Sequence, residues 1–230
     1  MTRLFAAASA SALALALAAC GETPPADEAP APAANGEAAP AADPAPEPQP
    51  APEPEVAEEN PTVAEARACE GGDDGFPEWA AEERDEDEAP ADFNLRQAEA
   101  FLEANTGETC VFTLPSGLQF RIDEAAGDNA RTPGRGELVE VHYEGRLLDG
   151  TVFDSSFERG APAVFPSDRL IPGWVEALGQ IREGETWTLF LHPDLAYGEQ
   201  GTPGGPIGPN SALIFRMELL GLPQRDANGE

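Results

Sequence analysis

Four short stretches hold the aromatic and polar residue types from which a chemical site could be built. They are VHYEGRLLDGTVFDSS over 141–156, IPGW over 171–174, AYG over 196–198 and ALIF over 212–215. Between them they supply five aromatics (Tyr143, Phe153, Trp174, Tyr197 and Phe215), a carboxylate beside one of these (Asp154), and Arg159 five residues further on. No Ser/His/Asp or Cys/His arrangement accompanies them, and the aromatics come from separate elements. Any single aromatic is better explained as a core residue of a small antiparallel sheet packed on a helix. Two details ask for more. A carboxylate beside an inward aromatic needs a partner, which Arg159 supplies, and Tyr197 opens a Gly-rich loop where a hydroxyl is free to meet a ligand. His142 falls on the face opposite Tyr143 and His192 precedes Pro193 at a strand end; both read as solvated rather than catalytic.

The elements that position these residues follow from periodicity. Residues 137–143 alternate, which places Val139, Val141 and Tyr143 on the inward face of a strand. Asp149-Gly150 is a hairpin signal joining that strand to a second over 151–155. Pro172 and Gly173 open a short helix with Trp174 and Leu178 on one face. Residues 186–191 and 211–220 read as strands, separated by a long Gly/Pro loop over 197–210. A further helix is expected over 92–105, capped by Asp92, with Leu95, Ala98 and Leu102 as its apolar stripe and an end at 105–107.

In order and spacing the four motifs resemble the FKBP-type peptidyl-prolyl cis-trans isomerases, over roughly residues 114–222. The resemblance implies an α+β fold: a twisted antiparallel β-sheet of about five strands wrapped around one short α-helix. It implies Trp174 as the pocket floor, with Tyr143, Phe153, Asp154, Leu170, Ile171, Tyr197, Ile207 and Phe215 around it. It also implies roles. The Ile171 N–H and the Tyr197 hydroxyl would donate to substrate carbonyls, and Asp154, held by Arg159, would act near the rotating carbonyl. Asp154, Tyr197, Tyr143 and Phe153 are the expected catalytic set, and Trp174, Ile171, Leu170, Ile207, Phe215 and Arg159 the expected substrate-binding set. No metal or cofactor is expected. Partners are X-Pro-containing polypeptides, with macrolides of the FK506/rapamycin class as further candidate ligands.

The chain also departs from the family pattern. Ala163 follows Pro162 where many members carry an aromatic, and the loop over 166–170 is about two residues short, so one pocket wall is expected to be thinner. Thr202 stands where some members have His, with one extra residue near Gly205-Pro206. The FLEAN stretch and TLPSGLQF over 113–120 resemble the approach to the catalytic domain in bacterial envelope members of the macrophage infectivity potentiator type. Many of those carry a long helical dimerisation region. Here the corresponding stretch is Pro-rich and short, and a monomer is expected.

Composition divides the 230 residues further. Residues 1–19 form a secretory signal: Arg3, an Ala/Leu-rich run, then Ala18-Ala19-Cys20. The run is too short to span a bilayer. The LAAC ending resembles bacterial lipoprotein signals, which implies cleavage before Cys20 and a lipid on that residue. Gly21 after the Cys implies sorting to the outer membrane, with the domain facing the periplasm. Residues 20–68 read as a disordered Pro/Ala/acidic linker, since large apolar residues are almost lacking before residue 61. About forty extended residues at ~3.1 Å each could reach on the order of 100 Å. Residues 69–113 form an acidic segment and connecting helix, 114–222 the isomerase domain, and 223–230 a disordered tail.

The formal net charge is −30, and all 13 basic residues are arginines. That balance argues against nucleic acid and against electrostatic attraction to anionic lipid, leaving the lipid on Cys20 as the membrane attachment. The Gly- and Asp-rich run at 71–75 lacks the regular ligand spacing of calcium loops. With Cys20 lipidated, Cys69 and Cys110 remain as an even pair in an oxidising setting, and a disulfide between them is expected. Two function classes follow: a lipid-anchored isomerase assisting exported proteins, or a prolyl-peptide-binding or chaperone lipoprotein with weak or no catalysis.

Overall fold

The computed structural model describes residues 60–70, 75–80 and 82–223. The signal segment, Cys20, most of the expected linker and residues 71–74 lie outside the described residues. Four α-helices and seven strands are described: α1 (Pro61–Arg67), α2 (Pro90–Asn105), β1 (Phe112–Thr113), β2 (Gln119–Glu124), β3 (Leu138–Leu147), β4 (Val152–Ser155), α3 (Ser156–Arg159), β5 (Ala163–Pro166), α4 (Pro172–Leu178), β6 (Thr186–Leu191) and β7 (Leu213–Gly221). The strands form one sheet in the order β1-β2-β6-β7-β3-β4, with β5 also pairing β3, and every pairing is antiparallel.

The α+β architecture is as expected, with seven strands rather than about five. The extra ones escape periodicity because β1 has two residues and β5 lies between Pro162 and Pro166. Along β3 the alternation is strict: Val139, Val141 and Tyr143 are buried while Glu140, His142 and Glu144 are only partly covered. The β3–β4 hairpin turns at Asp149-Gly150, where Gly150 has φ 84°, a left-handed conformation that favours glycine.

One face of the sheet receives α4, whose Trp174, Ala177 and Leu178 pack with Val141, Leu189, Leu191, Phe215 and Met217. Gly173 allows this approach, since a Cβ there would lie 2.5 Å from Leu191 Cδ2. The opposite face carries a second cluster, in which Phe101 and Leu102 of α2 meet Phe190 and Ile214, with Phe76 and Trp79 beside them. Strand β6 is therefore buried at all six residues, which explains why its sequence does not alternate in polarity.

Three expectations are corrected. Residues 61–67 are not linker but helix α1, capped by Asn60, whose side chain accepts from the Thr62 N–H at 3.0 Å. Its Val63 and Ala66 are buried in the main core with Phe120 and Trp187. Helix α2 starts at Pro90 rather than Asp92, and Asp92 does not cap it; the N-cap is Ala89, without a side-chain bond. Proline at the first position presets φ and lacks the N–H that would otherwise need a cap. The apolar stripe of α2 is carried by Ala98, Phe101 and Leu102, with Leu95 only partly covered.

Cys69 and Cys110 are joined by a disulfide, with Cα atoms 5.7 Å apart. It fixes the chain just after α1 close to β1.

Candidate active site

Helix α4 sets the floor. Ile171 is its N-cap in extended conformation, and the Ile171 carbonyl accepts from the Trp174 and Val175 N–H groups at 3.0 and 3.1 Å. Pro172 at the first helical position then fixes the direction in which Trp174 enters the core. Rings meet Trp174 edge-on from three strands: Tyr143 of β3 at 5.1 Å, Phe215 of β7 at 5.3 Å and Phe165 of β5 at 6.3 Å between centroids. Phe153 of β4 continues the array against Phe215 at 5.4 Å. Edge-to-face packing of this kind favours a rigid dish.

Strict alternation would send the neighbours Phe153 and Asp154 to opposite faces, yet both serve the site. The cause is a register shift in the β3–β4 ladder, where Gly145 pairs with Asp154 but Arg146 with Val152. Phe153 is thereby turned over Gly145. A Cβ on Gly145 would lie 2.5 Å from the Phe153 ring and 2.7 Å from that of Phe215.

At the lip stands a three-residue polar set. The Tyr143 hydroxyl donates to Asp154 Oδ2 at 2.6 Å, and Arg159 Nη2 donates to the Tyr143 hydroxyl oxygen at 2.9 Å. Arg159 also pairs with Asp154 Oδ1. Its guanidinium lies 5.3 Å from the Tyr143 ring centroid. The expected partner of Asp154 is thus present, although the carboxylate is 43% exposed rather than deeply buried. Burial pushes the Tyr143 hydroxyl above its ordinary pKa, as does its bond to Asp154, while Arg159 opposes both.

Tyr197, 40% exposed, follows the short 3-10 turn of Pro193–Leu195. Its pKa is raised by burial first and by the Asp154 charge second. Among the described residues, neither its hydroxyl nor the Ile171 N–H has a hydrogen-bond partner.

The loop after Tyr197 is closed on itself by Thr202, whose N–H donates to the Ile207 carbonyl at 2.9 Å while its hydroxyl accepts from the Ile207 N–H at 3.3 Å. Gly201 is required there: φ is 58°, and a Cβ would collide with the Ile207 and Gly208 carbonyl oxygens. The loop is also braced by α2. Asn94 Nδ2 donates to the Pro209 carbonyl at 2.8 Å and Asn210 Nδ2 to that of Ala91 at 3.3 Å. Ile207 is buried, and the partly buried Leu170 and Ile171 pack against the same core.

The structure therefore brings together Tyr143, Phe153, Asp154, Arg159, Trp174 and Phe215, with Tyr197, Ile171, Leu170 and Ile207 around them. Sequence reasoning missed Phe165. It stands on the same face of β5 as Ala163, two residues on, opposite Val139, and packs on both Tyr143 (6.2 Å) and Trp174. The wall expected to be thinner at Ala163 has this ring beside it, and the four residues of β5 are too few for alternation to have signalled it. His142 stacks on Phe157 at 4.6 Å and its Nδ1 lies 2.9 Å from Ser156 Oγ. His192 accepts from the Asp194 N–H at 3.3 Å. Neither histidine touches the dish. A groove of about 690 Å³ beside Phe76 and Trp79 contains none of the expected site residues, so chemistry rather than volume marks the site.

An antiparallel sheet closed by one helix thus carries an aromatic dish with a tyrosine-carboxylate-arginine lip, an arrangement suited to a small apolar group. Residues 129–220 match the family described as FKBP-type peptidyl-prolyl cis-trans isomerase. The peptidyl-prolyl cis-trans isomerase Mip of Coxiella burnetii is 46% identical over 132 residues, 57% of this chain and 56% of that protein. The outer membrane protein MIP of Legionella longbeachae is 47% identical over 132 residues, 57% of this chain and 55% of that protein. Among solved structures, a peptidyl-prolyl cis-trans isomerase from Pseudomonas syringae is 32% identical with TM-score 0.53, covering 60% of this chain and 98% of that one. FkpA from Escherichia coli is 39% identical with TM-score 0.54, covering 57% and 60%. The chain belongs to the FKBP-type peptidyl-prolyl cis-trans isomerase family. It spans little more than half the length of these two curated relatives.

Proposed function

We propose that this protein accelerates cis-trans exchange at X-Pro bonds, with the dish over Trp174 as its active site. The observation that carries the reading is the Tyr143-Asp154-Arg159 set at the rim of the dish. The X-Pro bond prefers trans by only about 0.5–1 kcal/mol, yet rotation faces a barrier of ~18–20 kcal/mol. Twisting the amide removes its resonance and part of its charge separation, so an apolar ring-lined site disfavours the twisted form less than the planar one.

In this reading the pyrrolidine ring lies on Trp174 between Tyr143, Phe153 and Phe215. The Ile171 N–H and the Tyr197 hydroxyl, both without partners among the described residues, hold the flanking carbonyls. Asp154, fixed by Tyr143 and Arg159, faces the carbonyl that rotates. No covalent intermediate is needed. The same dish would accept macrolides of the FK506/rapamycin class.

The protein acts on exported polypeptides from a lipid on Cys20, as a monomer in the bacterial envelope. The LAAC motif, the Cys69–Cys110 bridge and the envelope location named for the Legionella relative support this. A protease-coupled assay on X-Pro peptides tests the activity, and mass spectrometry of the N-terminal peptide tests the anchor. A chain that fails to speed exchange contradicts the first, and an unacylated Cys20 in the envelope-located protein contradicts the second.

A further inference from the structure

We infer that Ser156 is a positioning residue of the active site, acting through Tyr143 and held in its orientation by His142. This rests on the isomerase reading proposed above. Ser156 is fully buried at the start of α3, two residues after Asp154 and three before Arg159. The backbone pairing of β3 with β4 ends at Glu144 opposite Ser155. Where the ladder stops, the Ser156 side chain takes its place: Oγ accepts from the Tyr143 N–H at 2.7 Å and donates to the Tyr143 carbonyl at 3.2 Å. The hydroxyl thus ties the backbone of Tyr143 to the turn that carries both partners of the Tyr143 phenol. A rung made by a side chain is needed because the chain leaves β4 to form α3, taking its own backbone groups with it.

The hydroxyl has one hydrogen, and this decides the role of His142. If that hydrogen goes to the Tyr143 carbonyl, the contact of 2.9 Å with His142 Nδ1 requires the imidazole to donate. If the imidazole accepted instead, the Tyr143 carbonyl would lose its bond. The tautomer with hydrogen on Nδ1 therefore keeps both Tyr143 backbone groups engaged. Phe157, stacked on the imidazole, holds the ring in place. His142 lies on the outer face of the sheet, away from substrate, and acts only through Ser156.

The test is a double-mutant cycle in the full chain, reading kcat/KM on an X-Pro peptide together with the unfolding midpoint. Ser156→Ala is expected to lower kcat/KM on the order of tenfold, since sub-ångström misplacement of a reacting group has effects of this size. In a Tyr143→Phe background the same substitution is expected to change kcat/KM less than twofold, because the hydroxyl that Ser156 aligns is gone. A merely structural role would lower both backgrounds equally, and that result overturns the inference. If Ser156→Ala does not fold, His142 supplies the second arm: His142→Leu lowers kcat/KM, and His142→Asn, whose amide can donate from the same place, restores it. Equal activity in His142→Leu and His142→Asn overturns the inference. A wild-type chain without activity refutes the isomerase reading and this inference with it, whereas an active wild type with equal losses refutes this inference alone.

Discussion

Arg67 Nε lies 2.6 Å from Glu185 Oε1 across a sequence separation of 118 residues. Glu185 is wholly buried, and its other oxygen accepts from Arg67 Nη2 at 3.0 Å, the Arg182 N–H at 2.9 Å and Trp187 Nε1 at 2.9 Å. Arg67 precedes the family match, which begins at residue 129, yet it neutralises a carboxylate inside the matched domain. Helix α1 is thus part of the matched domain's core.

Removing Arg67 should leave Glu185 buried without a counter-charge. Arg67→Met is expected to destabilise the protein by about 3–5 kcal/mol, with part recovered in the Arg67→Met, Glu185→Gln pair. Urea unfolding of the three chains measures this, and an unchanged midpoint for Arg67→Met would contradict the role assigned to α1.

The bridge between Cys69 and Cys110 closes a loop over a separation of 41 residues and keeps α1 near its docking site. A loop of that length corresponds to a loss of about 4 kcal/mol when the bridge is removed. Replacing both cysteines by alanine should lower the urea midpoint, and reductant should lower that of the wild type to the same value. Indifference to both treatments would show that α1 docks without the bridge.

How much of this was legible in the sequence follows from how local each signal is. Val139, Val141 and Tyr143 declare their face by alternation, and Pro172-Gly173-Trp174 declares a helix start, so the floor and one wall were readable. Arg67 carries no such signal: its partner is 118 residues away, and an Ala/Pro/acidic surrounding reads as unstructured until Val63 and Ala66 find a core. Phe153 and Asp154 conflicted with alternation, and the register shift that reconciles them comes from pairing with β3. Phe165 lay in a strand bounded by prolines, too short for a period to show.

The chain has two tyrosines, Tyr143 and Tyr197, and both lie at the site. Burial raises the pKa of each, with Asp154 adding to the effect. Both hydroxyls should stay protonated beyond the ordinary tyrosine value of about 10, and tyrosinate absorbance should rise later in the folded than in the unfolded chain. The sign for stability follows. A raised acid contributes stability that is fully present below its unfolded pKa and lost as pH climbs through the folded one. A folded chain titrating at or below the unfolded value would contradict this.

Gly145 has no room for a side chain beneath Phe153 and Phe215. Gly145→Ala is expected to destabilise by about 1–3 kcal/mol through overpacking and to lower isomerase activity by displacing both rings. Activity equal to wild type in a stably folded Gly145→Ala chain would contradict the placement of Phe153 and Phe215 in the working pocket.

The decisive measurement is the rate of cis-to-trans exchange of an X-Pro peptide, read by coupled proteolysis, with wild-type chain and with Tyr143→Phe. Acceleration in proportion to wild-type concentration is predicted, reduced roughly 10–100-fold when the hydroxyl that joins Asp154 to Arg159 is removed. An exchange rate equal to that of peptide alone, in the presence of folded wild-type protein, would contradict it.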